Sequence, residues 1–214
     1  NADPADYGFT GSPNVTGVLE RIHFVATLRL LKKLAPQVQK VILISDSGKM
    51  WPMIIQQFKQ QQSQCPEIRV LGYDIVETWK EFQQKILDYQ TQTDAIGFLG
   101  NFEFKNEIGQ NVSQAEVMQW VLQNNKLPDF SFWKDRVDKG TLCAVTVSGF
   151  AQGYQAGQMA RKILVEDVQP SSLEPVTTEK GIPMINYETA GRLNIRPDAD
   201  ALLLADVVRK TKTE

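Results

Sequence analysis

The sequence is poor in the residues that usually carry chemistry. It holds one histidine and two cysteines in 214 residues. A Ser–His catalytic pair would have to use His23, which stands at a helix start, where a hydrogen-bonded structural ring is the ordinary reading. No GxSxG elbow exists: Thr146-Val147-Ser148-Gly149-Phe150 fails the pattern at both ends. Zinc needs clustered cysteine and histidine ligands, which this composition does not supply, so no metal is expected. No GxGxxG follows a strand. Ser45-Asp46-Ser47-Gly48-Lys49 resembles the tail of a phosphate loop but lacks the GxxxxGK[ST] spacing. We therefore expect no cofactor, no catalytic residue and no enzyme.

Charge of one sign is missing too. Lys and Arg number 23 against 25 Asp and Glu, a formal net charge of −2, which rules out a general electrostatic grip on nucleic acid. No apolar run approaches the roughly 20 residues of a membrane-spanning helix. The opening residues are polar and turn-rich, without the basic start and apolar stretch of a secretory leader. Cys65 and Cys143 form no CxxC, and their spacing argues for no disulfide. Cys143 lies in an apolar run and reads as a buried, inert thiol, whereas Cys65 sits in a polar connector compatible with exposure.

What is present is an alternation of strands and helices. Lys40 to Ser45 (KVILIS) is a β-branched apolar run of the kind buried on both faces. A turn at Asp46-Ser47-Gly48 leads into a helix with Trp51, Ile54, Ile55 and Phe58 at i, i+3, i+4, i+7 and Pro52 in its first turn. Ile68 to Gly72, Ala95 to Leu99 and Leu142 to Val147 read as further strands, with an extended segment from Pro128 to Phe132. Helices are expected at Phe24 to Leu34, stopped by Pro36, at Trp79 to Tyr89, and behind a capping box formed by Ser113 and Glu116. Another runs from Gly149 to Leu164, with Gly149, Gly153 and Gly157 at four-residue spacing, a row best explained by close packing against a neighbour. A strand near Glu174 to Thr178, another at Ile182 to Tyr187 and two short helices, Thr189 to Leu193 and Ala199 to Val208, complete the pattern. The fold class is α/β, with a parallel sheet and helices on both faces.

In an open parallel sheet, ligands sit beyond the carboxyl ends of the strands. Three such ends carry suggestive residues: Asp46, Ser47 and Gly48 at a helix N-terminus; Gly100, Asn101, Phe102 and Glu103; and Ser148, Gly149 and Phe150. Taken singly, each is equally explained by turn and capping chemistry. Together they point to a small-molecule cleft, with backbone N–H groups near Gly48 suited to an anionic end and Trp133 as an aromatic wall.

The opening NADP, NVTGV at Asn14 to Val18, LKKLAP followed by KVILIS, and TDAIGFLGN at Thr93 to Asn101 resemble the ABC-transporter substrate-binding family of type I periplasmic-binding fold. The likeness continues through KGTLCAVTVSGFAQGYQAGQMARKIL at Lys139 to Leu164 and INYETAGRLNIRP at Ile185 to Pro197. It implies a small-molecule ligand, an amino acid or another small polar or anionic compound, closed between two lobes and handed to an ABC permease. It places the protein in the periplasm or on the outer face of the membrane. Family members extend further at the N-terminus. The resemblance therefore assigns 1–16 to an edge of lobe one and the hinge, 17–146 to a complete lobe two, and 147–214 to a return into lobe one. The implied ligand contacts are Asp3 from lobe one, Asp46, Ser47, Gly48, Asn101, Phe102, Glu103 and Trp133 from lobe two, and Ser148 at the hinge. Asn101 and Ser148 stand where members usually carry aspartates, removing carboxylates that could pair with an amine. VTGVLER at Val15 to Arg21 also resembles sensor ectodomains of membrane-bound histidine kinases, the alternative role, with a fused or adjacent signalling module as partner.

Overall fold

A computed structural model describes residues 8–9, 12–177 and 181–212. The chain divides into two compact units. The smaller takes in the residues up to Ile22 together with Val147–Gly181. Its strand β1 (Val18–Leu19) pairs in parallel with β7 (Val176–Thr177), and between them in sequence runs the long helix α6 (Gly149–Val165). Ser148 caps α6 by accepting the Ala151 N–H at 3.1 Å. The glycine row of α6 does not mark tight packing: a Cβ added at Gly149, Gly153 or Gly157 meets no atom within 4 Å among the described residues.

The larger unit begins at His23 with α1 (Phe24–Leu34) and then winds β2 (Lys40–Ser45), α2 (Trp51–Gln61) and β3 (Arg69–Ile75). It continues through α3 (Trp79–Tyr89), β4 (Ala95–Phe98), α4 (Gln114–Asn124), β5 (Asp129–Ser131), α5 (Lys134–Asp138) and β6 (Cys143–Thr146). The chain then leaves for the smaller unit and re-enters at β8 (Ile182–Asn186), followed by α7 (Tyr187–Arg192), α8 (Ala199–Leu204) and β9 (Asp206–Val208). The seven strands lie in the order β3-β2-β4-β5-β6-β8-β9. Those from β3 to β6 are mutually parallel, while β8 runs antiparallel to β6, Thr146 facing Ile182. That reversal follows from connectivity, because the chain returns at the same strand end from which it left.

The span 147–214, expected to stay together, divides: Val147–Gly181 belongs to the smaller unit and the rest to the larger. Ile182 onward joins the large sheet, because Met184 and Ile185 are buried in its core and pair with Cys143 and Ala144. The start of the large unit likewise shifts from residue 17 to His23, since Val18–Leu19 finds its partner in β7. The last helix stops at Leu204 rather than Val208, and the β-branched Val207 and Val208 pair with Ile185 and Asn186 as an edge strand. Cys65 is buried like Cys143, and both thiols are free.

Period-two alternation distributes the core over two faces. Ile42 and Ile44 of β2 and Ile96 and Phe98 of β4 pack beneath α3 and α4, against Phe82, Ile86, Phe104, Val117 and Val121. On the opposite face Phe24 of α1 stacks on Phe58 of α2 at 4.3 Å between ring centroids, and Phe132 packs against both. Gly97 makes this packing possible, since a Cβ there would lie 2.6 Å from the Phe130 ring and 2.8 Å from Leu43. Thr78 and Ser113 cap α3 and α4 through the Glu81 and Glu116 amides, each at 3.2 Å.

One buried carboxyl gives the fold a measurable pH signature. Asp129 accepts the Leu142 N–H at 2.7 Å and the Asn125 amide at 3.0 Å. Burial nevertheless pushes its pKa up to about 6 from 3.8, the Leu142 amide, Arg192 and Asn125 pulling the other way. Between those two values the folded state keeps a proton that the unfolded chain has released. Its contribution is therefore complete below the unfolded value and lost as pH rises through about 6, on the order of 3 kcal/mol over the window. We expect the stability difference between the parent chain and Asp129→Asn to move against the parent as pH rises from 4 to 7, apart from a constant offset. Parallel melting-temperature curves would contradict this.

Candidate functional site

The strand order places a reversal between β2 and β4: from β2 the chain steps to β3 on one side, then returns to β4 on the other. At such a point the loops leaving the strand ends part and open a crevice. Here the loop after Ser45 faces the loop after Phe98, and the start of α5 closes the third side. The cleft between them has a volume of about 740 Å³ and lies wholly within the larger unit. Its walls are aromatic, Trp51, Phe102 and Trp133, with Glu103, Lys49 and Arg136 as charged groups on its lining.

Asp46 organises this cleft. It is 1% exposed, and each carboxylate oxygen accepts twice. Oδ1 takes the Gly48 N–H at 3.1 Å and the Trp51 indole Nε1–H at 2.5 Å. Oδ2 takes the Phe102 N–H at 2.8 Å and the Glu103 N–H at 3.1 Å. One side chain thus ties the β2 loop, the first turn of α2 and the β4 loop together. Its own N–H donates to the Gly100 carbonyl at 3.1 Å. Gly100 is required there: a Cβ would strike the Asp46 carboxylate and stand 2.5 Å from the Trp51 ring.

Arg136, on α5, is 4% exposed. Its Nη1 donates to the Asp135 carboxylate, which also accepts from Gln114 at 2.8 Å. Its Nε is buried without a hydrogen-bond partner. The guanidinium carbon lies 4.5 Å from the centre of the Phe102 ring and 5.4 Å from that of Trp133. Burial lowers its pKa, opposed by the charges of Asp135 and Asp46. Trp51 meets Trp133 edge to face at 6.0 Å. Hence Trp133 touches both an aromatic partner and a cation.

Of the residues read from the sequence, Asp46, Gly48, Phe102, Glu103 and Trp133 line the cleft. Asp46, with four donors already bound, is a scaffold rather than a free partner for an anion. Ser47 is exposed and not part of the lining. Asn101 is buried and turned away, its amide directed at Met118 Sδ (3.3 Å) and its oxygen at Gln114 (3.5 Å). Ser148 belongs to the smaller unit as a helix cap. Asp3 lies outside the described residues. Sequence reading missed Trp51 and Arg136. Trp51 sits at a core position of an amphipathic helix, and that periodicity hides its place on the cleft lining. Arg136 follows Trp133 by three residues, the one signal that could have shown a cation beneath an aromatic side chain. Among the described residues no group of three or more His, Cys, Asp or Glu side chains is arranged to hold a metal, and no helix is long and apolar enough to cross a membrane.

Comparison with known proteins places this architecture. The family profile described as "ABC transporter substrate binding protein" matches residues 8–209. A tyrosine-binding protein of Clostridioides difficile (strain R20291) is 23% identical over 221 residues, covering 99% of this chain. The chain spans only 59% of that relative's length. Among solved structures, the ligand-free, open form of a substrate binding protein with adhesive properties from Clostridium difficile superposes with a TM-score of 0.75 at 20% identity, covering 99% of this chain and 69% of that one. An ABC domain in complex with L-Trp from Streptococcus pneumonia gives 0.68 at 20% identity, with 96% and 70% coverage. The fold is that of the periplasmic solute-binding proteins, as the sequence resemblance implied.

Proposed function

This chain belongs to the ABC transporter substrate binding protein family, and from that premise we propose that it forms the ligand-holding part of an extracytoplasmic solute-binding protein serving an ABC importer. The ligand is a small molecule with a flat apolar body, held on the larger unit at the ends of β2, β4 and β5. One observation carries this reading: a cleft of about 740 Å³ at the strand-order reversal, walled by Trp51, Phe102 and Trp133. Such aromatic walls supply large contact area on few rotatable bonds. The relatives named for tyrosine binding and solved with L-Trp support the same ligand shape. The role is binding rather than turnover, since the lining offers no activated nucleophile and no acid–base pair.

A thermal-shift screen of the 214-residue chain tests this. The panel holds aromatic and aliphatic amino acids, small carboxylates, purines and sugars. A ligand at 100 times its dissociation constant stabilises the native state by about 2.7 kcal/mol, which a melting curve resolves. We expect a shift confined to ring-bearing compounds and reduced by Trp133→Ala. A shift with sugars alone, or none with any compound, would contradict the reading.

A further inference from the structure

We propose that Arg136 is the anion-recognition residue of this cleft and that the ligand is an aromatic carboxylate. This rests on the reading of the cleft as the ligand site. A guanidinium offers five N–H donors in a planar fork. At Arg136 one carboxylate, Asp135, serves that fork, and Nε has no partner although the residue is 96% buried by its 4% exposure. Burying a cation with unmade hydrogen bonds is costly, and the cost falls when a second carboxylate completes the set in charge-assisted geometry.

The surroundings fit an arriving ligand better than a purely structural arginine. Trp133 and Phe102 hold the guanidinium between aromatic neighbours, at 5.4 and 4.5 Å, so its direction is fixed before binding. Phe102 is 49% exposed and lines the cleft from the loop after β4. The ligand's ring takes a place beside Trp51 and Trp133, with its carboxylate on the guanidinium. The other carboxylates near the cleft differ in availability. Asp46 is saturated by four N–H donors, Asp135 is shared by Arg136 and Gln114, and Glu103 is solvent-exposed. The formal charges of the lining do not sum to a positive field, so recognition lies in the donors of Arg136.

The four tryptophans make the test site-specific. Trp51 and Trp133 line the cleft, whereas Trp79 and Trp120 pack against the core beneath α3 and α4 and serve as references. Indole N–H signals of the ¹⁵N-labelled 214-residue chain are followed during titration with indole-3-acetate, L-tryptophan and tryptamine. We expect the two carboxylates to move the Trp51 and Trp133 signals and tryptamine to bind at least about tenfold more weakly, the scale of a lost charge-assisted contact. Arg136→Gln should weaken indole-3-acetate by at least about tenfold and tryptamine by clearly less, with Arg136→Lys, a cation without the fork, in between. Unmoved Trp79 and Trp120 signals show that each variant is folded. Tryptamine binding as tightly as indole-3-acetate, or an unaffected Arg136→Gln, overturns the proposal while the cleft remains a ligand site. If no probe moves Trp51 or Trp133, the proposal also falls, and the wider thermal screen decides separately whether the cleft binds anything.

Discussion

Replacing Asp46 with alanine is expected to lower folding stability by about 3–5 kcal/mol and to abolish binding at the cleft. The substitution leaves the Trp51 indole N–H and the backbone N–H groups of Gly48, Phe102 and Glu103 without their acceptor. Each buried donor left unpaired costs about 1–3 kcal/mol, and removing the desolvated carboxylate offsets part of the sum. Binding fails for a separate reason: the β2 and β4 loops lose a side chain that ties them together. Urea unfolding measures the first effect and ligand titration the second. Ser47→Ala, one residue away but exposed, should stay within about 0.5 kcal/mol of the parent. An Asp46→Ala chain as stable as the parent, or one that binds normally, would show that the carboxylate does not organise the cleft.

Phe82→Ala should cost as much stability by a different route and leave binding intact. Phe82 is 1% exposed beneath the sheet, with the Phe104 ring at 4.5 Å, Trp79 at 5.5 Å and Phe98 at 6.3 Å. Truncating a fully buried phenylalanine costs about 3–5 kcal/mol in lost transfer energy and residual cavity. None of its ring partners lines the cleft, so affinity measured well below the melting temperature should match the parent. Affinity falling in step with stability would mean that the α3–α4 face and the cleft are coupled, contrary to this account.

The contrast between these variants reflects what the sequence encodes locally and what it does not. Lys40–Ser45 and Trp79–Tyr89 are legible to the residue, because a doubly buried strand and an amphipathic helix leave strong periodic patterns. So is the cap at Ser113, which acts over three residues. The destination of 182–212 is not legible in this way. The β8–β6 pairing joins residues about forty positions apart, and hydrophobic period alone does not say which sheet accepts a strand. The same limit governs the site. Strand-end reasoning finds Asp46, Gly48, Phe102 and Glu103 because position relative to the sheet selects them. It does not say that the Asp46 oxygens are filled from Trp51 and from the 102–103 backbone, nor that Asn101 turns inward to Met118. Arg136 is hidden for a related reason, since a short helix after a three-residue strand gives no period to read, and its burial depends on Phe102 from a distant loop.

The measurement closest to the central claim is amide hydrogen exchange on the 214-residue chain, with and without the compound giving the largest shift in the thermal screen. The account predicts added protection concentrated at Asp46 to Trp51, Gly100 to Glu103 and Trp133 to Arg136, the segments that converge on the cleft. Protection centred instead on the second, smaller hollow beside Asp74, Lys85 and Tyr89, or none at the three cleft segments, would contradict it.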